Sequence, residues 1–308
     1  MSQLFPLPRV VSFSCEGFTL YGSLHAAEGP SRDIGMILFN QGPLERAGAH
    51  RLSIQIARRW AKQGLPVFRV DARGVGDSEG DWSVPPDGAP IRMLYKQVEE
   101  GAWTADAHAA IDCLVRETGV RHVVLGGLCG GAITALHAAT HPAVCGVVMV
   151  AMPVRPQSEV VGAGDLVDSK VKEEAKDYVA KVFAPDAWKR FLTMQTDYGT
   201  LWSVMSTRLH RLVGGGAPDA GMNVPLLRSF VAASKAKRRL LFVYPDHDYL
   251  WTEFEELFQT RYPQAECGYE LRTIANANHT FTESDWQAEL YATLEAWSQG
   301  LSAREAGA

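Results

Sequence analysis

A thiol, a carboxylate and an imidazole stand far apart in this chain, each just past the end of an apolar β-run. Cys129 lies in Val123-Val124-Leu125-Gly126-Gly127-Leu128-Cys129-Gly130-Gly131-Ala132-Ile133, a strand followed by a G-x-C-x-G turn and the helix-forming stretch 132–137. A strand that turns directly into a helix holds its middle residue in a strained conformation, and Gly127 and Gly131 allow the close approach this needs. The sulfur is then presented at a helix N-terminus, where the macrodipole favours the attacking thiolate. The bland alternative is a packed structural cysteine, since free cysteines are often buried.

A nucleophilic thiol needs a base, and the base needs a carboxylate to orient it. Leu241-Phe242-Val243-Tyr244-Pro245-Asp246-His247-Asp248 puts two acids past one strand, and Ile274-Ala275-Asn276-Ala277-Asn278-His279-Thr280-Phe281 puts a histidine past the last one. The order nucleophile, acid, histidine assigns His279 as base and Asp248 as orienting acid, with Asp246 as rival. The oxyanion formed on attack requires two donors. One is the Gly130 N–H. The other comes from the loop Asn40-Gln41-Gly42-Pro43-Leu44-Glu45-Arg46, in which Pro43 has no N–H to offer. Leu44 N–H is the expected donor and the Gln41 side-chain amide its substitute.

The elements that must position these groups alternate strand and helix. Val10–Cys15 and Phe18–Leu24 read as a hairpin turned at Glu16-Gly17. Ile34–Phe39, Leu65–Val70, His122–Leu125, Cys145–Val150, Leu240–Tyr244 and Tyr269–Ile274 read as buried strands. Amphipathic helices are predicted over Ala49–Gln63, Gly101–Glu117, Gly130–Thr140, Trp251–Tyr262 and Asp285–Gln299. This is an α/β class: a mostly parallel eight-stranded sheet with helices on both faces, whose ligands collect at the carboxyl ends of the strands. The core is expected over residues 1–152 and 238–308. Residues 153–237 are too long for a plain crossover and are read as a helical cap insertion. It holds a charged stretch (Ser169–Phe183), an aromatic stretch (Trp188–Trp202) and Gly214-Gly215-Gly216.

At 308 residues, 46% hydrophobic and 21% charged, the chain can bury a full core. A net charge of −5 without a basic run argues against nucleic acid as a partner. No apolar stretch approaches the ~20 residues that span a bilayer, and residues 1–11 lack the pattern of a signal peptide. Five scattered cysteines suit a reducing, cytoplasmic compartment rather than a disulfide framework. They lack zinc-site spacing, so no metal is expected, and Asp71 to Ser78 lacks the spacing of a phosphate cradle, so no cofactor is expected either.

Through Asp71-x-Arg73-Gly74-x-Gly76-x-Ser78, the elbow, Asp248 and His279, the chain resembles the α/β-hydrolase superfamily over nearly its full length. More narrowly it is similar to the exosortase-associated hydrolases, a bacterial group with a cysteine elbow. The matches are Gly42-Pro43-x-x-Arg46-x-Gly48-x-His50-Arg51, Pro153-x-Arg155 and Asn278-His279-Thr280-Phe281, with Gln41 where that group has a glycine. The resemblance implies the α/β-hydrolase fold and a Cys-His-Asp triad. Relatives accompany polyketide and peptide assembly lines, which suggests acyl thioester chemistry, and dienelactone hydrolase is another superfamily member with a cysteine nucleophile.

The expected activity is thus a thioesterase-like hydrolysis of an acyl thioester or ester through a covalent acyl-enzyme. The substrate is a small-molecule acyl compound, free or bound to a carrier protein. Thioester exchange is nearly balanced, so an acyltransferase or cyclase releasing the chain to an amine or alcohol is the alternative. A ligand-binding α/β-hydrolase-fold protein with an inactive triad is the non-enzymatic one.

Overall fold

In the computed structural model, the described residues are 6–30, 32–80, 90–160 and 221–301. Eight strands form one sheet: β1 (Arg9–Cys15), β2 (Phe18–His25), β3 (Ile34–Leu38), β4 (Val67–Val70), β5 (His122–Leu128), β6 (Val144–Val150), β7 (Arg239–Pro245) and β8 (Glu270–Ile274). Their spatial order is β1-β2-β4-β3-β5-β6-β7-β8. β2 runs antiparallel to β1 and to β4; the remaining neighbours are parallel. Every residue of β3 and β4 is buried, the sign of a sheet covered on both faces.

The helices are α1 (Leu52–Lys62), α2 (Pro90–Glu99), α3 (Thr104–Thr118), α4 (Gly130–His137), α5 (Gln157–Val160), α6 (Val224–Lys235), α7 (Tyr249–Glu253), α8 (Gln264–Cys267) and α9 (Ser284–Gln299). One face of the sheet packs against α1 and α9, whose apolar stripes (Leu52, Ile56 and Trp60; Leu290, Leu294 and Trp297) recur at helical spacing. The other face carries α2, α3, α4 and α6, and its core includes Leu94, Val98, Ile111, Ile133 and Phe230. Among the described residues no helix is long and apolar enough to cross a membrane.

Three local readings differ from expectation. The helix predicted from Ala49 begins as a 3-10 turn, Ala49–Arg51, and kinks where His50 and Arg51 take positive φ of 49° and 62°. The helix predicted over Trp251–Tyr262 starts earlier, as α7, and widens into a π turn over Phe254–Gln259. There Phe254 and Phe258 stack with centroids 5.0 Å apart, packing that outweighs regular helical hydrogen bonding. And α2 was not predicted at all.

The chain divides into two compact units, Met1–Val160 with Met222–Ala308, and Val161–Gly221. The expected insertion, 153–237, is therefore longer than the second unit. Its C-terminal part is α6, which buries Leu226, Leu227, Phe230 and Ala233 in the core of the first. The charged stretch, the aromatic stretch and the glycine turn of the insertion lie outside the described residues.

The loop after β4 is a scaffold. Fully buried Asp71 accepts from Asn40 Nδ2 (3.0 Å), from the Arg46 N–H (2.7 Å) and from the Arg46 guanidinium. Asn40 Oδ1 in turn accepts the Ala72 N–H at 2.7 Å. These bonds pin the loops after β3 and β4 to each other. A buried carboxylate with all its acceptor sites used is stable, whereas the same group stripped of a partner costs about 3–5 kcal/mol. Arg73 fastens this loop to α3 through buried Asp106 (Nη2 to Oδ1, 2.6 Å).

Candidate active site

Cys129 sits between β5 and α4 with φ 54° and ψ −115°. A non-glycine residue held there stores on the order of 1–3 kcal/mol of strain, so its surroundings must enforce it. They do so at both ends. The Cys129 N–H continues the sheet ladder to Val150 O at 2.9 Å, and its carbonyl receives the Ala132 N–H at 3.0 Å. A Cβ on Gly127 would lie 2.4 Å from the Gly131 carbonyl carbon, and one on Gly131 would lie 2.7 Å from Asn40 O. Backbone against backbone leaves no room for a side chain at either glycine.

Asp248 and His279 come from the loops after β7 and β8. His279 Nδ1 and Asp248 Oδ2 are 2.6 Å apart. The other oxygen of Asp248, Oδ1, accepts the Leu250 N–H at 3.2 Å and caps α7. The Asp248 side chain is almost wholly buried, while a third of the His279 side chain is open to solvent. His279 is therefore clamped from behind and accessible in front. Buried Ala277 and Phe281 flank it, and Asn278 staples the loop through Thr282 Oγ1 (2.9 Å). Asp246 faces elsewhere: among the described residues its buried Oδ1 has no hydrogen-bond partner. His247 is exposed.

Burial disfavours a charged imidazole at His279. Hydrogen bonds from Asp248 and from Cys129, together with both their charges, outweigh it and raise His279 well above the ordinary histidine value. The sulfur, the imidazole and the carboxylate thus form one contiguous chain of contacts.

The two loop donors expected for the oxyanion, Leu44 N–H and the Gln41 side-chain amide, each have a partner or neighbour in the fold. The Leu44 N–H closes a turn onto Gln41 O at 3.2 Å, and its side chain is exposed. That turn engages the hydrogen that spacing offers to the oxyanion. Gln41 accepts the Ala49 N–H through Oε1 (3.2 Å) and lines a small apolar cavity of about 30 Å³ with Leu38, Leu128 and Leu290, on the α1 side of the sheet. Gly130 stands as expected in the first turn of α4, where an N–H has no partner within its helix.

A group that spacing did not single out also meets the sulfur. Tyr95 of α2 hydrogen-bonds Cys129. Its helix was legible in principle, since Ile91, Leu94, Tyr95 and Val98 follow helical spacing behind Pro90 at the first position.

A sheet of this order, helices on both faces and a strained elbow at the end of β5 define an α/β-hydrolase. The family described as serine aminopeptidase, S33, matches residues 35–190, and the chain belongs to it. It is a hydrolase. In this chain the elbow position carries cysteine. None of the curated proteins matches the sequence.

Among solved structures, the chain is similar to an esterase of Pyrococcus furiosus (15% identity, 95% of this chain and 90% of that one, TM-score 0.59). It is also similar to dienelactone hydrolase from Anabaena variabilis (16%, 96% and 98%, TM-score 0.54). A third likeness is an α/β serine hydrolase without a lid from Xanthomonas campestris (14%, 97% and 97%, TM-score 0.53). At these identities the likeness is one of fold.

All five cysteines are free, which allows a direct test of the site. Burial pushes Cys145 up to about 11, and burial with the neighbouring Asp106 does the same to Cys15. Burial also raises Cys113 and Cys267. A thiol with a pKa of about 11 is ~10⁻⁴ thiolate at pH 7. Iodoacetamide at pH 7 is therefore expected to alkylate Cys129 well before the other four, whose labelling should rise with pH. Peptide mapping showing equal labelling of all five at pH 7 would contradict an activated sulfur at the elbow.

Proposed function

We propose that the protein is a cysteine-nucleophile acyl hydrolase acting on acyl thioesters or esters through a Cys129-His279-Asp248 triad and a covalent acyl-enzyme. The observation that carries this reading is a strained, elbow-borne sulfur in contact with an imidazole that is itself 2.6 Å from a buried carboxylate. The similarity to the exosortase-associated hydrolases supports a cysteine at the elbow.

In this mechanism His279 Nε2 takes the proton of the Cys129 thiol as the sulfur attacks the acyl carbonyl. Its electron pair forms the S–C bond, and the carbonyl π pair moves onto oxygen. The Gly130 N–H meets that oxyanion; one well-placed donor contributes about 3 kcal/mol. Collapse expels the thiol or alcohol, which takes its proton from His279. Water then enters, gives a proton to His279, and adds to the thioester; the acid leaves and the sulfur regains its electron pair. Asp248 keeps His279 in the tautomer that presents Nε2 to the sulfur.

The substrate class follows from the nucleophile. Attack on a thioester makes another thioester at little cost, so a small acyl thioester, free or on a carrier protein, suits a sulfur better than an amide does.

Intact mass spectrometry tests the shared step. After brief mixing with acetyl-N-acetylcysteamine or p-nitrophenyl acetate, a gain of one acetyl group on Cys129 is expected, absent from Cys129→Ala. No mass gain in the wild-type protein with either donor, under conditions where iodoacetamide does label Cys129, would overturn the reading.

A further inference from the structure

In the loop where the second oxyanion donor was expected, the backbone groups nearest the elbow are engaged or absent. Pro43 has no N–H, Leu44 N–H is bonded to Gln41 O at 3.2 Å, and Gly42 N–H is bonded to Asn40 O at 3.0 Å. An oxyanion facing Gly130 N–H alone would be half served. The same loop also packs against the elbow at Gly42. A Cβ built on Gly130 would lie 3.0 Å from the Gly42 nitrogen. A Cβ built on Gly42 would meet one atom within 4 Å, the Tyr95 phenol oxygen at 3.8 Å. Gly130, Gly42 and Tyr95 Oη thus lie together beside Cys129.

Tyr95 is firmly placed there. Its neighbours on α2, Leu94 and Val98, are buried in the core, and Val98 Cγ1 is 3.7 Å from the Cβ position of Gly130. The phenol oxygen already hydrogen-bonds Cys129. The charge of Cys129, then burial and the charge of Glu99, hold the phenol well above the ordinary tyrosine value, so it keeps its proton throughout the neutral and mildly alkaline range.

Resting on the acyl-hydrolase reading above, we propose that Tyr95 Oη is the second oxyanion donor of this enzyme, paired with the Gly130 N–H. In the resting site the phenol hydrogen-bonds the sulfur. On attack negative charge develops on the carbonyl oxygen, and the O–H turns to meet it. No proton is transferred: Tyr95 donates a hydrogen bond before and after, to a different atom. The donor is a side chain supplied by a helix.

Tyr95→Phe deletes only the hydroxyl and tests this. With p-nitrophenyl acetate, kcat and kcat/KM are expected to fall together by about 10²- to 10³-fold. Inhibition by acetaldehyde, which adds to the sulfur and places an oxyanion in the same space, should weaken in parallel. Alkylation of Cys129 by iodoacetamide, a displacement that builds no oxyanion, should stay within about threefold at every pH.

Turnover within threefold of wild type would overturn the proposal. So would an alkylation profile that moves along the pH axis enough to account for the whole loss, because Tyr95 would then serve only the thiolate. Should wild-type protein form no acyl-enzyme, the functional reading falls and takes this one with it. A wild-type protein that acylates beside an unimpaired Tyr95→Phe sinks the role of Tyr95 alone.

Discussion

Cys129→Ala is expected to lower kcat toward acyl thioesters and activated esters by about 10⁶-fold, the size of loss seen when the attacking atom of a triad is deleted. The physical reason is that the substitution removes a reaction path. The Gly130 donor and the binding surface remain, but no covalent intermediate can form on alanine. Stability should change little or rise, because alanine fills less of the tight elbow and relieves no packed apolar contact of consequence. The same variant carries a second signature. The hydrogen bond and charge of Cys129 are among the causes that hold His279 high. Without them the imidazole should lose its proton at lower pH, which an NMR titration of the His279 ring would register as a fall in pKa. Wild-type turnover in Cys129→Ala would move the nucleophile elsewhere. An unmoved His279 titration would break the sulfur–imidazole contact on which the mechanism rests.

Much of this site could be read from residue order because the constraints that build it are local. Gly127 and Gly131 are legible as glycines that permit an elbow, and their collision distances give the reason: each faces backbone across a gap no Cβ can occupy. The strands were legible because a sheet buried on both faces needs unbroken apolar runs, as β3 and β4 have. Choosing between Asp246 and Asp248 required a fact that spacing does not contain, namely which carboxylate turns back to cap α7 while facing the last loop. Leu44 raises a similar point. Sequence tells which residues own an N–H, yet whether that N–H is already spent on a turn is a property of the folded loop.

Tyr95 shows where one-dimensional reasoning stopped. The helix that bears it lies between two better-marked elements and carries charged and amide residues between its apolar ones, so its pattern was passed over. Nothing in the spacing from Tyr95 to Cys129 signals contact. That contact comes from α2 packing Leu94 and Val98 onto the elbow face, a tertiary fact.

Asp248→Asn is expected to reduce kcat by about 10⁴-fold while the protein remains folded. The argument turns on counting acceptors. Both oxygens of Asp248 are used: Oδ1 takes the Leu250 N–H at 3.2 Å and Oδ2 faces His279 Nδ1 at 2.6 Å. An asparagine has a single acceptor oxygen. If it keeps the helix cap, its NH₂ faces Nδ1 and forces the proton onto Nε2, so the imidazole can no longer take a proton from the side facing the sulfur. If it turns to serve His279, the cap is lost at a cost of about 1 kcal/mol in stability.

Either outcome removes the negative charge that helps raise His279. The imidazolium should then give up its proton at lower pH than in the wild type. Cys129 should accordingly be alkylated more slowly at pH 7. Asp246→Asn, a change of the same chemistry two residues away, should leave turnover within a few-fold of wild type. The reverse result, a dead Asp246→Asn beside an active Asp248→Asn, would transfer the orienting role to Asp246, and the 2.6 Å contact would then have no catalytic meaning.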